Sequence, residues 1–255
     1  MALPELIGLV PAAGQASRLG ALPGSKELVP IGFRAGAAAP EPRVPFQELL
    51  AAMRAGGVER AFVVLRPGKW DVPAHLGDGG AGPRLAYLLR AGSRSLPESL
   101  DAAYPFLRGA HVALGFPDVL FAPADAYATL RERLAGSGAD LVLGLFPAPR
   151  PHTTDMVELD GDRVVRIELR PARTELTLAW LLAAWGPAFT ELLHDFVTEA
   201  DASTAPTGSE RQLGEVIQRA VAQGLDVRGV TLPGGRYRDL GTPEELQAVW
   251  REGWP

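Results

Sequence analysis

Four side chains in this chain of 255 residues have the types and settings that handling phosphate requires. Two are cations, Arg18 and Lys26, both in the stretch VPAAGQASRLGALPGSK at residues 10–26. Two are carboxylates, Asp118 in FPDVLF and Asp239 in YRDLGTPEEL. In the first stretch an apolar run ends near Pro11. Small residues follow it (Ala12, Ala13, Gly14, Ala16 and Ser17), and small side chains let backbone N–H groups approach a phosphate closely. The stretch fits neither common phosphate-loop pattern: GALPGSKE fails the spacing of G-x-x-x-x-G-K-[ST], and GQASRLG fails G-x-G-x-x-G. Taken singly, each feature has a plain reading as a solvated loop with two surface cations, a capping aspartate or a turn aspartate. Taken together they equip phosphoryl-type transfer. The carboxylates suit Mg²⁺, which keeps several waters and bridges phosphate oxygens. The cations suit the remaining phosphate charge, in a chemistry where positioning and electrostatics supply most of the catalysis.

The elements that must carry these residues follow from periodicity. LIGLVP (6–11) reads as a buried strand running into the small-residue loop. FQELLAAMRAGG has Phe46, Leu49, Leu50 and Met53 at helical spacing and ends at Gly56-Gly57. RAFVVLRP, RLAYLL (84–89), HVALGF and DLVLGLF (140–146) read as further strands. Between them lie a helix from Pro97 to about Leu107 and another from Tyr127 to Leu134. Such alternation over residues 6–146 implies crossover units in a mainly parallel sheet, where ligands bind beyond the carboxyl ends of the strands. VPAAG and FPDVLF both fall at such ends.

The second half changes character. DMVELDGDRVVRIEL carries a hairpin signal around Asp160-Gly161-Asp162, and LTLAWLLAAW reads as a buried strand. Arg211 to Gln223 reads as a helix with Leu213, Val216, Ile217 and Val221 on one face, and VRGVTL as a strand. TPEELQAVW has a helix start with Thr242 as N-cap, Pro243 at the first position and Glu245 completing a capping box. GFRAGAAAPEPRVP (32–45) reads as an extended loop. The expected architecture is an α/β three-layer αβα sandwich, a mainly parallel Rossmann-like sheet with a small antiparallel portion in the second half. It forms one domain over residues 1–255, with no linker, no internal repeat and no appended catalytic domain.

Bulk properties narrow the partners. Hydrophobic residues make up 47% of the chain and charged residues 22%, as in soluble globular proteins. The net charge of −5 argues against a broad nucleic-acid surface. With no cysteine there is no disulfide, thiol catalysis or Cys-ligated zinc, which fits a cytoplasmic protein. MALPELIGLV lacks the basic start of a signal peptide, and the apolar run Leu176–Trp185 is too short to span a bilayer. The four histidines show no metal spacing, and Arg90 with Arg94 reads as a solvated basic face.

The ordered motifs resemble the nucleotidyltransferases that make nucleotide sugars, such as glucose-1-phosphate thymidylyl- and uridylyltransferases. That family opens with roughly L-A-G-G-x-G-T-R-L and K-x-L-x-P-I, matched by Val10–Leu19 and by Lys26-Glu27-Leu28-Val29-Pro30-Ile31. Its G-D-x-x-F appears as Pro117-Asp118-Val119-Leu120-Phe121, and its D-x-G-T-P-E-D-L as Asp239–Leu246. Order and spacing agree from residue 6 to about 250.

The resemblance implies that Arg18 and Lys26 bind the triphosphate and that Asp118 and Asp239 ligate Mg²⁺. It brings the backbone of Ala12, Ala13 and Gly14, together with Ser95, to the nucleoside. Arg170 takes the place of the family's sugar-phosphate lysine, with Glu168 supplying the carboxylate one position early. It also implies transfer of a nucleotidyl group from dTTP or UTP to a sugar 1-phosphate, giving an NDP-sugar and pyrophosphate. No nucleic acid or membrane partner is implied, and assembly as a homo-oligomer is compatible with it. The chain departs from the pattern at Ala13-Gly14, Ala16-Ser17, Pro117 and Arg170. Two other readings keep the fold: a cytidylyltransferase acting on a non-sugar alcohol phosphate, and a catalytically weak nucleotide-binding or regulatory homologue.

Overall fold

A computed structural model of the chain describes residues 3–14, 17–20, 22–36, 39–202 and 211–254. The loop residues Gln15 and Ala16 lie outside them, as does the side chain of Ser17. The first half contains β1 (Leu6–Pro11), β2 (Gly32–Arg34), β3 (Glu41–Arg43), α1 (Pro45–Ala55), β4 (Arg60–Leu65), α2 (Asp71–Leu76) and β5 (Arg84–Leu89). It continues through α3 (Leu96–Asp101), α4 (Tyr104–Leu107), β6 (His111–Leu114), β7 (Val119–Ala122), α5 (Ala126–Ser137) and β8 (Leu141–Pro147). The second half has β9 (Met156–Asp160), β10 (Arg163–Glu168), β11 (Leu178–Trp185), α6 (Pro187–Ala202), α7 (Leu213–Ala222), β12 (Val227–Thr231), β13 (Arg236–Asp239) and α8 (Pro243–Glu252).

Nine strands form the central sheet in the order β5-β4-β1-β6-β11-β8-β12-β10-β9. The pairs β5–β4, β4–β1, β1–β6 and β8–β12 are parallel. The expectation of a mainly parallel sheet needs correcting at the centre, where β11 runs antiparallel to both β6 and β8. Leu178 at the start of β11 lies opposite Pro147 at the end of β8, so the chain enters β11 from the carboxyl edge and must run backwards through the sheet. LAWLLAAW is apolar along its length, as a strand buried on both faces has to be. The antiparallel hairpin β9–β10 completes the second half as its turn signal requires.

Side chains of a strand alternate between faces, and β1 shows what each face meets. Leu6 and Val10 pack into a core with residues of α1, α2 and α5. Ile7 and Leu9 pack into a second core with residues of α3, α4, α6 and α7. Two local expectations change. The helix expected from Pro97 to Leu107 is broken into α3 and α4, because Pro105 has no N–H to give and its ring would clash with the Asp101 carbonyl. The segment expected as an extended loop forms a short hairpin, β2 with β3, held by Gly32 opposite Arg43 and an Arg34–Glu41 ion pair; its residues 37–38 lie outside the described ones. The helix α6 had no counterpart in the sequence reading.

The turn after β6 is what aims Asp118. Gly115 donates its N–H to the Leu9 carbonyl at 3.3 Å. A Cβ there would sit 2.2 Å from the hydroxyl of the fully buried Tyr127 and 2.5 Å from Leu49. Tyr127 cannot swing away freely, since its hydroxyl donates to the Leu114 carbonyl at 2.9 Å. Gly115→Ala is therefore expected to cost about 1–3 kcal/mol through overpacking, readable as a lower denaturant midpoint with an unchanged slope.

Candidate active site

Asp118 and Asp239 are brought side by side by a second, two-stranded sheet. β13 pairs antiparallel with β7, with Asp239 opposite Val119, and the Leu240 N–H continues the ladder to the Asp118 carbonyl at 2.9 Å. A small apolar cluster beneath them, Ile31, Leu120, Leu240 and Val249, joins the three charged stretches: Ile31 follows Lys26, Leu120 follows Asp118 and Leu240 follows Asp239. The lysine loop, the mid-chain aspartate and the C-terminal aspartate thus share one packing unit.

Two cations answer the two carboxylates. The Lys26 ammonium is ion-paired to Asp118, with both side chains mostly buried. Burial works against a charged ammonium there, but Asp118, Glu27 and Asp239 outweigh it and hold the Lys26 pKa above the usual lysine range. Asp239 is pushed above the usual carboxylate range by burial and by the neighbouring Asp118; the Gly241 N–H, Lys26 and Arg18 oppose the shift. Arg18 stands on a short 3₁₀ turn, Ser17–Leu19. A Cβ added at Gly241 would lie 2.9 Å from Arg18 Nη2 and 2.9 Å from Asp239 Oδ1, so only glycine leaves room for that approach.

The loop that presents Lys26 is clamped on both sides of it. Ser25 donates its N–H to Asp71 Oδ2 at 2.6 Å and its hydroxyl to Oδ1 at 2.9 Å. Against the pull of burial, these bonds hold the Asp71 carboxyl below its usual range. Glu27 takes both oxygens to Lys69 Nζ, at 2.8 and 2.9 Å, in a pair whose side chains are 2% and 6% exposed. A charged glutamate next to Lys26 reads in sequence as solvent-facing; its burial became visible only with its partner, which comes from the connection after β4.

Two cavities adjoin the cluster. One of about 480 Å³ is bounded by Gly14, Gly20, Gly24, Lys26, Arg66 and Lys69, among others. The other, about 600 Å³, is lined by Ala13, Gly14, Lys26, Asp118, Ser95 and Arg90, among others. Of the residues expected at the nucleoside, Ala13, Gly14 and Ser95 therefore face a cavity. Ala12 is buried and donates its N–H to the Val64 carbonyl at 2.8 Å. Ser95 also caps α3, its hydroxyl accepting from the Glu98 N–H. Arg90, Arg94 and Arg66 line the larger cavity, so the pair read as a solvated face belongs to it. Arg66 went unnoticed although it ends a strand, the same signal that singled out VPAAG.

Glu168 and Arg170 line neither cavity. Glu168 accepts from the Thr174 hydroxyl at 2.6 Å and pairs with Arg166. Arg170 is the only non-glycine residue with positive φ among the described residues, at 39°, and its N–H bonds the Asp155 carboxylate. Burial raises the Asp155 pKa, against the opposing charge of Arg170. The capping box at α8 is half made: Thr242 accepts from the Glu245 N–H, while the Glu245 carboxylate turns to Arg150 and Arg238.

A mixed sheet of this order, with a charged cluster at the carboxyl ends of β1 and β6 and a short β7–β13 sheet behind it, is a fold already seen in a solved structure. It superposes with a TM-score of 0.81 on a Bacillus anthracis protein assigned as a glucose-1-phosphate thymidylyltransferase and crystallised with sucrose. The match covers 97% of this chain and 95% of that one at 15% sequence identity, a likeness of fold. No family model and no curated protein matches the sequence. No helix among the described residues is long and apolar enough to cross a membrane.

Two outcomes follow from the charges. Removing one partner of a buried ion pair leaves the other uncompensated, so Lys69→Met is expected to cost about 3–5 kcal/mol, and Glu27→Leu added to it to recover most of that; chemical unfolding of the single and double variants measures both. Asp239 has a raised folded-state pKa, so its contribution to stability is full below the unfolded carboxylate value and is lost as pH rises through the folded one. Asp239→Asn is accordingly expected to raise the thermal midpoint at neutral pH in the absence of divalent cations. The gain should shrink as pH falls through the raised pKa toward 3.8, and calorimetric scans across that range follow it.

Proposed function

We propose that the chain transfers a nucleotidyl group from a nucleoside triphosphate, dTTP or UTP, to a sugar 1-phosphate, releasing pyrophosphate in a Mg²⁺-dependent reaction. The observation that carries this reading is the convergence of Arg18, Lys26, Asp118 and Asp239 beside two cavities at the carboxyl ends of the sheet. The likeness of fold to a protein assigned as a glucose-1-phosphate thymidylyltransferase supports it.

The donor set fits Mg²⁺. Two carboxylates are held together, one with its pKa raised by burial and by the other, and such a pair favours a bound cation. Among the described residues no group of three His, Asp or Glu side chains gathers as a metal site, so these two carboxylates would be the protein's share of the ligands. Asp118 and Asp239 would hold the cation, which would supply Lewis-acid polarisation and charge screening at the phosphates.

The chain's own groups have the remaining work. Gly14, whose added Cβ would meet nothing within 4 Å, offers open backbone at the cavity rim, and Ala13 offers little side chain beside it. Lys26, once exchanged from Asp118, and Arg18 place positive charge where the transferred and leaving phosphates carry negative charge. The acceptor is itself a phosphate oxygen, so in-line attack needs no protein nucleophile. Glu168 and Arg170 take the sugar phosphate in this reading only if the β9–β10 region moves toward the cluster when the acceptor binds.

Pyrophosphate release from a panel of triphosphates and sugar 1-phosphates tests the reading. At least one pair is expected to turn over, and Lys26→Ala or Asp118→Asn to lower kcat by about 10²–10³-fold, the scale of one lost preorganised charge contact. No turnover by any pair, or a Lys26→Ala protein as active as the parent, refutes it.

A further inference from the structure

Among the described residues, Arg66 and Arg90 are cations without a counter-charge. They follow the ends of neighbouring parallel strands: Leu65 of β4 lies opposite Leu89 of β5, and the Arg90 N–H continues the ladder to the Leu65 carbonyl at 2.8 Å. Their backbones are therefore rooted about one strand spacing apart, roughly 4.8 Å. Both side chains line the larger cavity, and Arg66 lines the smaller one as well. The Nε atoms of both are buried and have no hydrogen-bond partner, and neither guanidinium forms an ion pair among the described residues.

The other cations of these cavities are all engaged: Lys26 with Asp118, Lys69 with Glu27, Arg94 with Glu98. A buried donor that stays unsatisfied costs free energy and needs a reason. Two of them, at matched positions on adjacent strands in a protein of net charge −5, call for an acceptor from outside.

We propose that Arg66 and Arg90 form a second anion subsite that takes the terminal diphosphate of the incoming triphosphate and of the pyrophosphate released. Guanidinium is donor-only, always charged and suited to bidentate binding of phosphate oxygens. Arg18 and Lys26 sit against two carboxylates, so even with a divalent cation there the cluster carries less positive charge than a triphosphate carries negative. The Arg pair supplies that missing charge. Its place fits a diphosphate better than a phosphate monoester: Arg66 stands where the two cavities meet, next to Gly14, and Gly20, Gly24 and Gly68 leave backbone accessible along the smaller one. The assignment rests on the nucleotidyl-transfer reading for the identity of the ligand, and on the unpaired guanidiniums for its position.

Calorimetric titration with inorganic pyrophosphate, and separately with glucose 1-phosphate, tests the pair in Arg66→Gln, Arg90→Gln and the double variant. Each single change is expected to weaken pyrophosphate binding about tenfold and the double about a hundredfold, with glucose 1-phosphate unaffected. The salt dependence of pyrophosphate binding should flatten in parallel, and Arg→Lys variants should keep part of the affinity. Since neither side chain loses an ion pair among the described residues, thermal midpoints of the free proteins should not fall below the parent value. Pyrophosphate affinity within twofold of the parent in the double variant, a loss confined to glucose 1-phosphate, or a parent protein that does not bind pyrophosphate overturns the proposal. A parent that forms nucleotide sugar while the double variant keeps its pyrophosphate affinity removes the subsite and leaves the reaction standing. Pyrophosphate binding that depends on the pair in a protein that turns over no triphosphate does the reverse.

Discussion

Two carboxylates forced together by a backbone ladder are the constraint on which the rest of the site depends. The β7–β13 pairing fixes Asp239 opposite Val119 and ties Leu240 to the Asp118 carbonyl, so neither aspartate can retreat without breaking strand hydrogen bonds. Burial and the neighbouring Asp118 charge both raise the cost of ionising Asp239 and hold its pKa above the usual carboxylate range. Everything nearby reduces that cost. Lys26 bonds Asp118, the Gly241 N–H bonds Asp239 at 2.8 Å, and Arg18 crowds against Gly241. The arrangement is close to electrically balanced, and the strand pairing holds it in place.

Rigidity in the lysine loop has a separate source. Residues 20–26 include Gly20, Gly24 and Pro23, and their own contacts could not hold an ammonium to one position. The holding is done by the connection after β4: Lys69 fixes Glu27, and Asp71 fixes Ser25 by two hydrogen bonds. Arg66 leaves the same connection, three residues before Lys69. One short segment thus both anchors the loop that carries Lys26 and contributes a cation to the adjoining cavities, so displacement of β4 would disturb both at once.

What could be read from the sequence follows from how local each signal is. Strands β1, β5 and β8 and the hairpin β9–β10 announce themselves within a few residues, by apolar runs or alternation around a turn. Asp118 was legible because it follows a buried strand, and Asp239 because it precedes a glycine and a capped helix start. Their contact was not, since it depends on a ladder between segments half the chain apart. The buried Glu27–Lys69 pair was hidden for the same reason: a charge reads as exposed until its partner is known. The hairpin β2–β3 escaped because an Ala-, Gly- and Pro-rich stretch has no alternation to show. β11 was legible as a buried strand but not in direction, because direction is set by where the preceding hairpin leaves the chain. Glu168 and Arg170, carried over on motif order alone, lie with Asp155 and Arg166 rather than at the cavities.

The stretch Asp239–Leu246 concentrates several physical demands in a few residues. Nearly every position in it answers a different physical demand. Asp239 supplies the carboxylate, and Leu240 is buried in the cluster that joins the three charged stretches. Gly241 is the only residue with room between Arg18 and Asp239. Thr242 caps α8, and Pro243 occupies the first turn, where its missing N–H costs nothing. Glu245 is held by Arg150 and Arg238, and Leu246 packs inward. Elsewhere in the sheet one apolar residue can replace another, because the two cores ask only for volume and pattern. Here the electrostatic, steric and capping requirements fall on consecutive residues, and few other sequences meet them all.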